Sequence, residues 1–226
     1  MTAESPPAVP ALAEDLLLLL FQPGSGTIAG ENTLFYVLGG AVLADLALGG
    51  HLTVEARDRV RGTEGHPPSD DLLRPAWDHL SEKPRGVQAA LAAIGPALRE
   101  PVLERLVRRG DIDREPHRLL GLFRTTALRD GGTGRRARLL ADVRRVLVDG
   151  TEPSARVAAL AALLSASGTL PRFHPEIPWT SAVIERAEEL ERGDWGAHAA
   201  AEAVNRTVTA TVVNSVVVAV AVLPPS

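Results

Sequence analysis

The sequence predicts a mainly α fold: a single globular helical domain around buried apolar helices, with short β-hairpins at about residues 51–62 and 112–128. Three observations carry this expectation. Ala13 to Phe21 is a leucine run whose first turn holds Glu14 and Asp15, where acids complement a helix dipole. Asn32 to Leu48 is apolar nearly all round, with Asp45 its one charge after Glu31, the pattern of a helix buried on every side. Finally, 226 residues with 45% hydrophobic content supply one sizeable core, and no linker is long enough to divide the chain. Aromatics make up only 4%, so Leu, Val and Ala must fill most of the interior.

In chain order, residues 1–10 read as a disordered, proline-rich tail and residues 11–224 as the domain. Pro23 and Gly24 stop the first helix, and a glycine loop leads to the second, which ends at Gly49-Gly50. His51 to Glu55 is a short strand, and Ala56 to Arg61 alternates and returns as its partner. Gly65-His-Pro-Pro68 breaks the chain, and Ser69-Asp-Asp71 caps a helix running to about Ser81. Pro84 precedes an alanine-rich helix, Gly86 to Ile94. After Gly95-Pro96, a helix from Leu98 to Arg109 is closed by Gly110.

Ile112 to Phe123 reads extended, with a loop at Asp130-Gly-Gly-Thr-Gly134. Helices at Arg135–Val148 and Pro153–Ser167 follow, then a turn through Pro171, Pro175 and Pro178, then a helix at Ser181–Arg192. The last element is a local conflict. Val212-Val213 and Val216 to Val222 favour strand, whereas Trp195 to Ala203 favours helix. Propensity alone does not decide between them, since buried contacts can override it.

Charge is uneven. Arg99 to Arg145 holds thirteen arginines against seven acids, a local balance of +6. Because the whole chain carries −4, the remainder carries −10. Such polarity suits an anionic surface or ligand, although solvated helix faces account for most of these arginines. Lys83 is the only lysine. GC-rich coding explains that bias; the functional alternative is phosphate recognition by guanidinium forks. The absence of cysteine excludes disulfides, thiolate metal sites and thiolate nucleophiles, and fits a reducing compartment.

Met1 to Pro10 has no basic residue and does not read as a signal peptide. Leu16 to Phe21 is too short to cross a bilayer, which takes about 20 apolar residues. Val208 to Leu223 is interrupted by Asn214 and Ser215 and lacks a following basic anchor, so it reads as a core element.

Tempting catalytic motifs fail on spacing. Gly24-Ser-Gly26-Thr-Ile-Ala-Gly30 has one residue too many before its third glycine and follows a helix, whereas a dinucleotide cradle follows a strand. Gly131-Gly-Thr-Gly134 lacks the Lys-Ser/Thr of a phosphate-binding loop. No histidine lies within four residues of another, so no helical metal pair exists. Asp45 is a candidate perturbed acid, but an internal salt bridge or capping role is the expectation. No enzyme activity, cofactor, metal site or nucleic-acid partner is expected.

Leu38-Gly-Gly-Ala-Val-Leu-Ala-Asp-Leu-Ala-Leu-Gly-Gly-His-Leu52 and Arg99-Glu-Pro-Val-Leu-Glu-Arg-Leu-Val-Arg-Arg-Gly110 resemble segments of the Golgi phosphoprotein 3 family, and Arg138–Leu147 and Arg156–Leu164 are similar to later helices of it. Leu120-Gly-Leu-Phe-Arg-Thr-Thr126 looks like the family's apolar hairpin, implicated in self-association and membrane contact. The resemblance implies a helical, non-enzymatic peripheral membrane adaptor of bacterial type whose last element is a continuous apolar helix. It would bind anionic phospholipid or phosphoinositide headgroups, such as phosphatidylinositol 4-phosphate, from the cytoplasmic side.

Lipid- or phosphate-binding would fall to Arg99, Arg105, Arg108 and Arg109, with Arg105 and Arg109 sharing a helix face. Leu122, Phe123 and Leu128 would serve membrane contact or self-association; a protein partner is unidentified. In eukaryotic members a tryptophan and several arginines form the headgroup pocket. Ungapped alignment puts Gly30, Gly39 and Pro96 where the aromatic and two arginines would stand, and only Arg99 keeps its type. Each lost charge-assisted bond removes roughly 1.5–3 kcal/mol. The alternative reading is therefore a protein-interaction scaffold of the same fold that has lost specific lipid binding.

Overall fold

The computed structural model describes residues 9–55, 59–119, 123–193 and 203–222; the expected disordered tail thus lies, up to residue 8, outside the described residues. Its centre is α1 (Leu12–Leu20), whose nine residues are all buried, Glu14 and Asp15 included. A helix with no solvent face must be enclosed, and α2 (Leu34–Leu48), α5 (Arg99–Arg108), α6 (Arg135–Leu147) and α7 (Ala155–Ala166) pack around it.

Its ends are closed by side chains from elsewhere in the chain. The Leu12 amide donates to Asp45 Oδ2 at 2.6 Å and the Ala11 amide to Glu14 Oε2 at 2.8 Å. At the other end Arg136 donates to the carbonyls of Leu19 and Phe21 at 3.4 and 3.0 Å. These bonds satisfy groups that a buried helix end would otherwise leave orphaned.

The apolar stretch predicted from residue 32 is α2, which packs against α1, α4 (Val87–Ile94), α7 and α9 (Ala203–Ala221). Small residues permit the close approach. Gly39 faces Leu91 and Gly95, and Gly40 receives Val216. Val212, Val213 and Val216 are fully buried, so tertiary contact decides α9 for helix against the strand propensity of valine. Both α2 and α5 end in a left-handed glycine. Gly50 and Gly110 have φ of 72° and 71°, and the following amides of His51 and Asp111 reach back to Leu46 and Leu106, the Schellman arrangement.

Strands are short and antiparallel. β1 (Phe21–Gln22) and β2 (Thr27–Ile28) pair across a turn where the sequence suggests only a glycine loop. β3 (Leu52–Glu55) pairs with β4 (Arg59–Gly62) from Leu52↔Gly62 to Glu55↔Arg59, as expected. A third strand, β5 (Arg85–Gly86), joins β4 after α3 (Arg74–Glu82). Its two residues are too few to carry a sequence pattern. β6 (Ile112–Leu119) and β7 (Phe123–Asp130) form the long ribbon, in register from Ile112↔Asp130 to Leu119↔Phe123.

The proline-rich segment after α7 forms a 3-10 turn, Leu170–Phe173, and α8 (Ser181–Glu191) starts at Thr180, whose hydroxyl accepts from the Val183 amide. Among the described residues no helix is long and apolar enough to cross a membrane.

Candidate functional site: the arginine helix and its carboxylates

The buried stripe of α5 is Val102, Leu103 and Leu106, preceded by Leu98. At helical spacing Arg105 and Arg109 stand three residues beyond Val102 and Leu106, on the same side of the helix. Both therefore point inward to α1. Glu14, with no exposed surface, accepts from Arg105 Nη1 at 3.3 Å and from Arg109 Nε at 2.7 Å. Arg105 also forks onto Asp70, with bonds of 2.9 and 2.7 Å, and contacts Asp71. Burial pushes the Asp70 carboxyl up, but the bonds from Arg105 and from the Leu72 amide outweigh it and hold the group below its ordinary value.

A second set of charges stands beside the first. Asp15 takes Arg135 Nη2 on one oxygen at 2.5 Å and Arg156 Nη2 on the other at 2.6 Å. Arg135 reaches on to Asp111 Oδ2 at 2.5 Å, whose other oxygen accepts from Thr133 of the glycine loop at 2.6 Å. Arg156 reaches Asp45 at 3.0 Å and the carbonyl of Pro10 at 2.6 Å. Asp45 thus fills both expected roles, ion pair and helix cap. Burial raises its pKa, partly offset by Arg156 and the Leu12 amide. Four elements, α2, α5, α6 and α7, are pinned to the start of α1 by these bonds.

The four arginines of the sequence-based site have different surroundings. Arg105 and Arg109 do not form an open basic face with Arg108: their guanidiniums are held by Glu14 and Asp70, because a carboxylate buried with Glu14 needs a charged partner. Arg99 is exposed but forked onto Glu31, with Nε–Oε2 at 3.1 Å and Nη2–Oε1 at 2.7 Å. Arg108 alone of the four is exposed with no side-chain partner among the described residues.

Leu128 also differs from the expectation. It is 9% exposed and belongs to the core cluster, since its position near the base of the ribbon, opposite Arg114, turns it toward the domain. Phe123 begins β7, and Leu122 lies outside the described residues. Of the positions aligned with the family pocket, Gly39 is buried beneath Leu91 and Gly95, Gly30 sits at φ 70° against Thr169, and Pro96 is exposed in a second 3-10 turn, Gly95–Ala97. Arg99 therefore keeps its residue type without the aligned aromatic and basic neighbours.

Around Arg108 the surface forms two open grooves, of about 480 and 610 Å³. Arg105 and Asp71 line both, with Glu104 and Arg114 on one side and Ser69 and Arg109 on the other. A third groove of about 480 Å³ lies beside Glu31 and Arg99. Open, shallow sites with exposed guanidiniums can meet phosphate oxygens in many orientations, but they exclude little water and orient no substrate.

The residues that sequence reasoning missed are the carboxylates: Glu31, Asp70 and Asp111 each take an arginine. One signal pointed to them. Glu14 and Asp15 interrupt a run with no polar face, so their counter-charges had to come from the arginine-rich helices.

No curated protein matches the chain. The family model described as Golgi phosphoprotein 3 (GPP34) matches residues 12–207, from the first residue of α1 into α9. With that match over most of its length, and with the mainly α architecture described above, the chain belongs to the Golgi phosphoprotein 3 (GPP34) family.

Proposed function

We propose that the chain is a non-enzymatic peripheral adaptor that meets anionic lipid headgroups through the outer end of α5, with Arg108 at the centre. The observation that carries this reading is Arg108 itself, an exposed guanidinium free of side-chain partners among the described residues, on the ridge between two grooves. Membership of the GPP34 family supports it. A buried or paired arginine contributes nothing to a surface outside, whereas a free one near an anionic leaflet contributes about 1 kcal/mol. Attraction of this kind is diffuse and salt-sensitive. The surface concerned is the cytoplasmic leaflet, where anionic lipid is concentrated.

Co-sedimentation with phosphatidylcholine vesicles, alone and mixed with phosphatidylglycerol or a phosphoinositide, tests it. Binding to the anionic vesicles at low salt, falling as salt rises, is expected. No binding to any anionic vesicle at low salt overturns the proposal.

A second reading, an interaction scaffold without lipid recognition, is favoured by the Glu31 carboxylate on Arg99 and by the burial of Gly39. Capture of one stable protein partner, unchanged by added lipid and by Arg108→Ala, would support that reading.

A further inference from the structure

Glu31 sits in the loop that leads from β2 into α2, and its side chain lies over the first turn of α5. Both its oxygens face Arg99, and no other side-chain bond to Glu31 exists among the described residues. Next to it Glu100 pairs with Arg114 and approaches Arg99 at 3.8 Å. Two guanidiniums and two carboxylates thus share a groove that Gly26 and Thr27 also line.

At the core the carboxylates that hold arginines are buried: Glu14, Asp15 and Asp111 have side chains between 0% and 7% exposed. Exposed pairs occur elsewhere, but Asp149 is met by the single Nη1 of Arg144, whereas the Glu31–Arg99 pair is exposed, at 45% and 44%, and forked through two nitrogens. Its geometry is that of phosphate recognition, since a carboxylate and a phosphate each offer two oxygens to the guanidinium fork. Its exposure means the partner can be exchanged, because water solvates either group once it is released.

We propose that Glu31 is a built-in competitor for Arg99. It occupies the guanidinium until a phosphate group from outside displaces it, so that Arg99 is freed only against a phosphate-rich surface. This deepens the lipid reading above and rests on it. The same chemistry would admit a free phosphate ion, and the experiment separates the two sources.

The test is a double-mutant cycle with Glu31→Gln, Arg99→Ala and the combination. Binding is measured to phosphatidylcholine vesicles containing phosphatidylglycerol, with and without inorganic phosphate as competitor. Glu31→Gln is expected to bind tighter by up to about five-fold, the upper end of one exposed ion pair released. In the Arg99→Ala background the same change gives no gain. Competition by millimolar inorganic phosphate assigns Arg99 to free phosphate; its absence assigns Arg99 to the lipid surface.

An equal gain in both backgrounds is a general charge effect and overturns the proposal. No gain in either overturns it as well. If Arg108→Ala weakens binding while Glu31→Gln leaves it unchanged, the competitor fails and the lipid reading stands. If no variant binds anionic vesicles, both fail. Matching thermal midpoints among the variants confirm that folding is not the cause.

Discussion

Replacing Arg135 with methionine should destabilise the protein heavily, although residue 135 opens α6 and neighbours exposed positions. Its guanidinium bridges Asp15 and Asp111, at 2.5 Å each. The three side chains are 14%, 7% and 3% exposed, so solvent screening is slight. Removing one partner of a buried pair costs about 3–5 kcal/mol, mostly because the remaining charge stays desolvated. Here each acid keeps one bond, Asp15 to Arg156 and Asp111 to Thr133, which places the expected loss near the lower limit, about 3 kcal/mol. With a urea dependence of about 3 kcal/mol per molar, the unfolding midpoint moves down by about 1 M. Equilibrium urea unfolding followed by far-ultraviolet circular dichroism measures it. Arg138→Ala serves as reference, because Arg138 is exposed and bonds only the carbonyl of Thr133; it should change stability by less than about 0.5 kcal/mol. If Arg135→Met matches Arg138→Ala, the bridge does not hold α1 in place and the reasoning is refuted.

Three further outcomes are expected. Asp70 has a pKa lowered from 3.8, so its contribution to stability is present above that value and fades as pH falls from there through the folded-state value. Asp70→Asn should accordingly flatten the pH dependence of the urea midpoint below about pH 4; an unchanged slope would contradict the pairing with Arg105. Asp45 is shifted the other way. The folded state holds its proton more firmly, so stability is lost as pH rises from 3.8 through the raised value, and Asp45→Asn should remove that loss from the same titration. At Gly95 a Cβ would lie inside the carbonyl of Phe35. Gly95→Ala must push the Gly95–Ala97 turn away from α2, with a loss of about 1–3 kcal/mol in thermal or urea unfolding; a neutral result would mean the two elements do not touch.

Most of the helices were legible because their apolar spacing and their stops were clean. The burial of α2 followed from a segment with one interior charge, and its end from Gly49-Gly50. The helical state of α9 was implied by the family resemblance and not by propensity, which burial overrides where Val216 packs on Gly40. β1, β2 and β5 were not legible, since two-residue strands depend on a partner elsewhere and leave no period of their own.

The site was harder to read for a different reason. A count of charge along residues 99–145 gives a basic total, but it is blind to acids that fold onto it from residues 14, 15, 31 and 70. Arg105 and Arg109 share a face, as their spacing says. That face is the inner one, and the alignment of both with Val102 and Leu106 could have shown it. Leu128 was read with the apolar ribbon, whereas its place near the start of the ribbon puts it in the core.

The central claim is that Arg108, and not the arginines turned toward α1, carries the attraction to an anionic surface. The most direct measurement is the affinity of wild type, Arg108→Glu and Arg138→Glu for phosphatidylcholine–phosphatidylglycerol vesicles at low salt. Arg108→Glu is expected to lose about ten-fold or more, as replacing a cation by an anion changes two charges at about 1 kcal/mol each. Arg138→Glu should lose clearly less. Equal losses in the two variants, or no loss in Arg108→Glu, would contradict it.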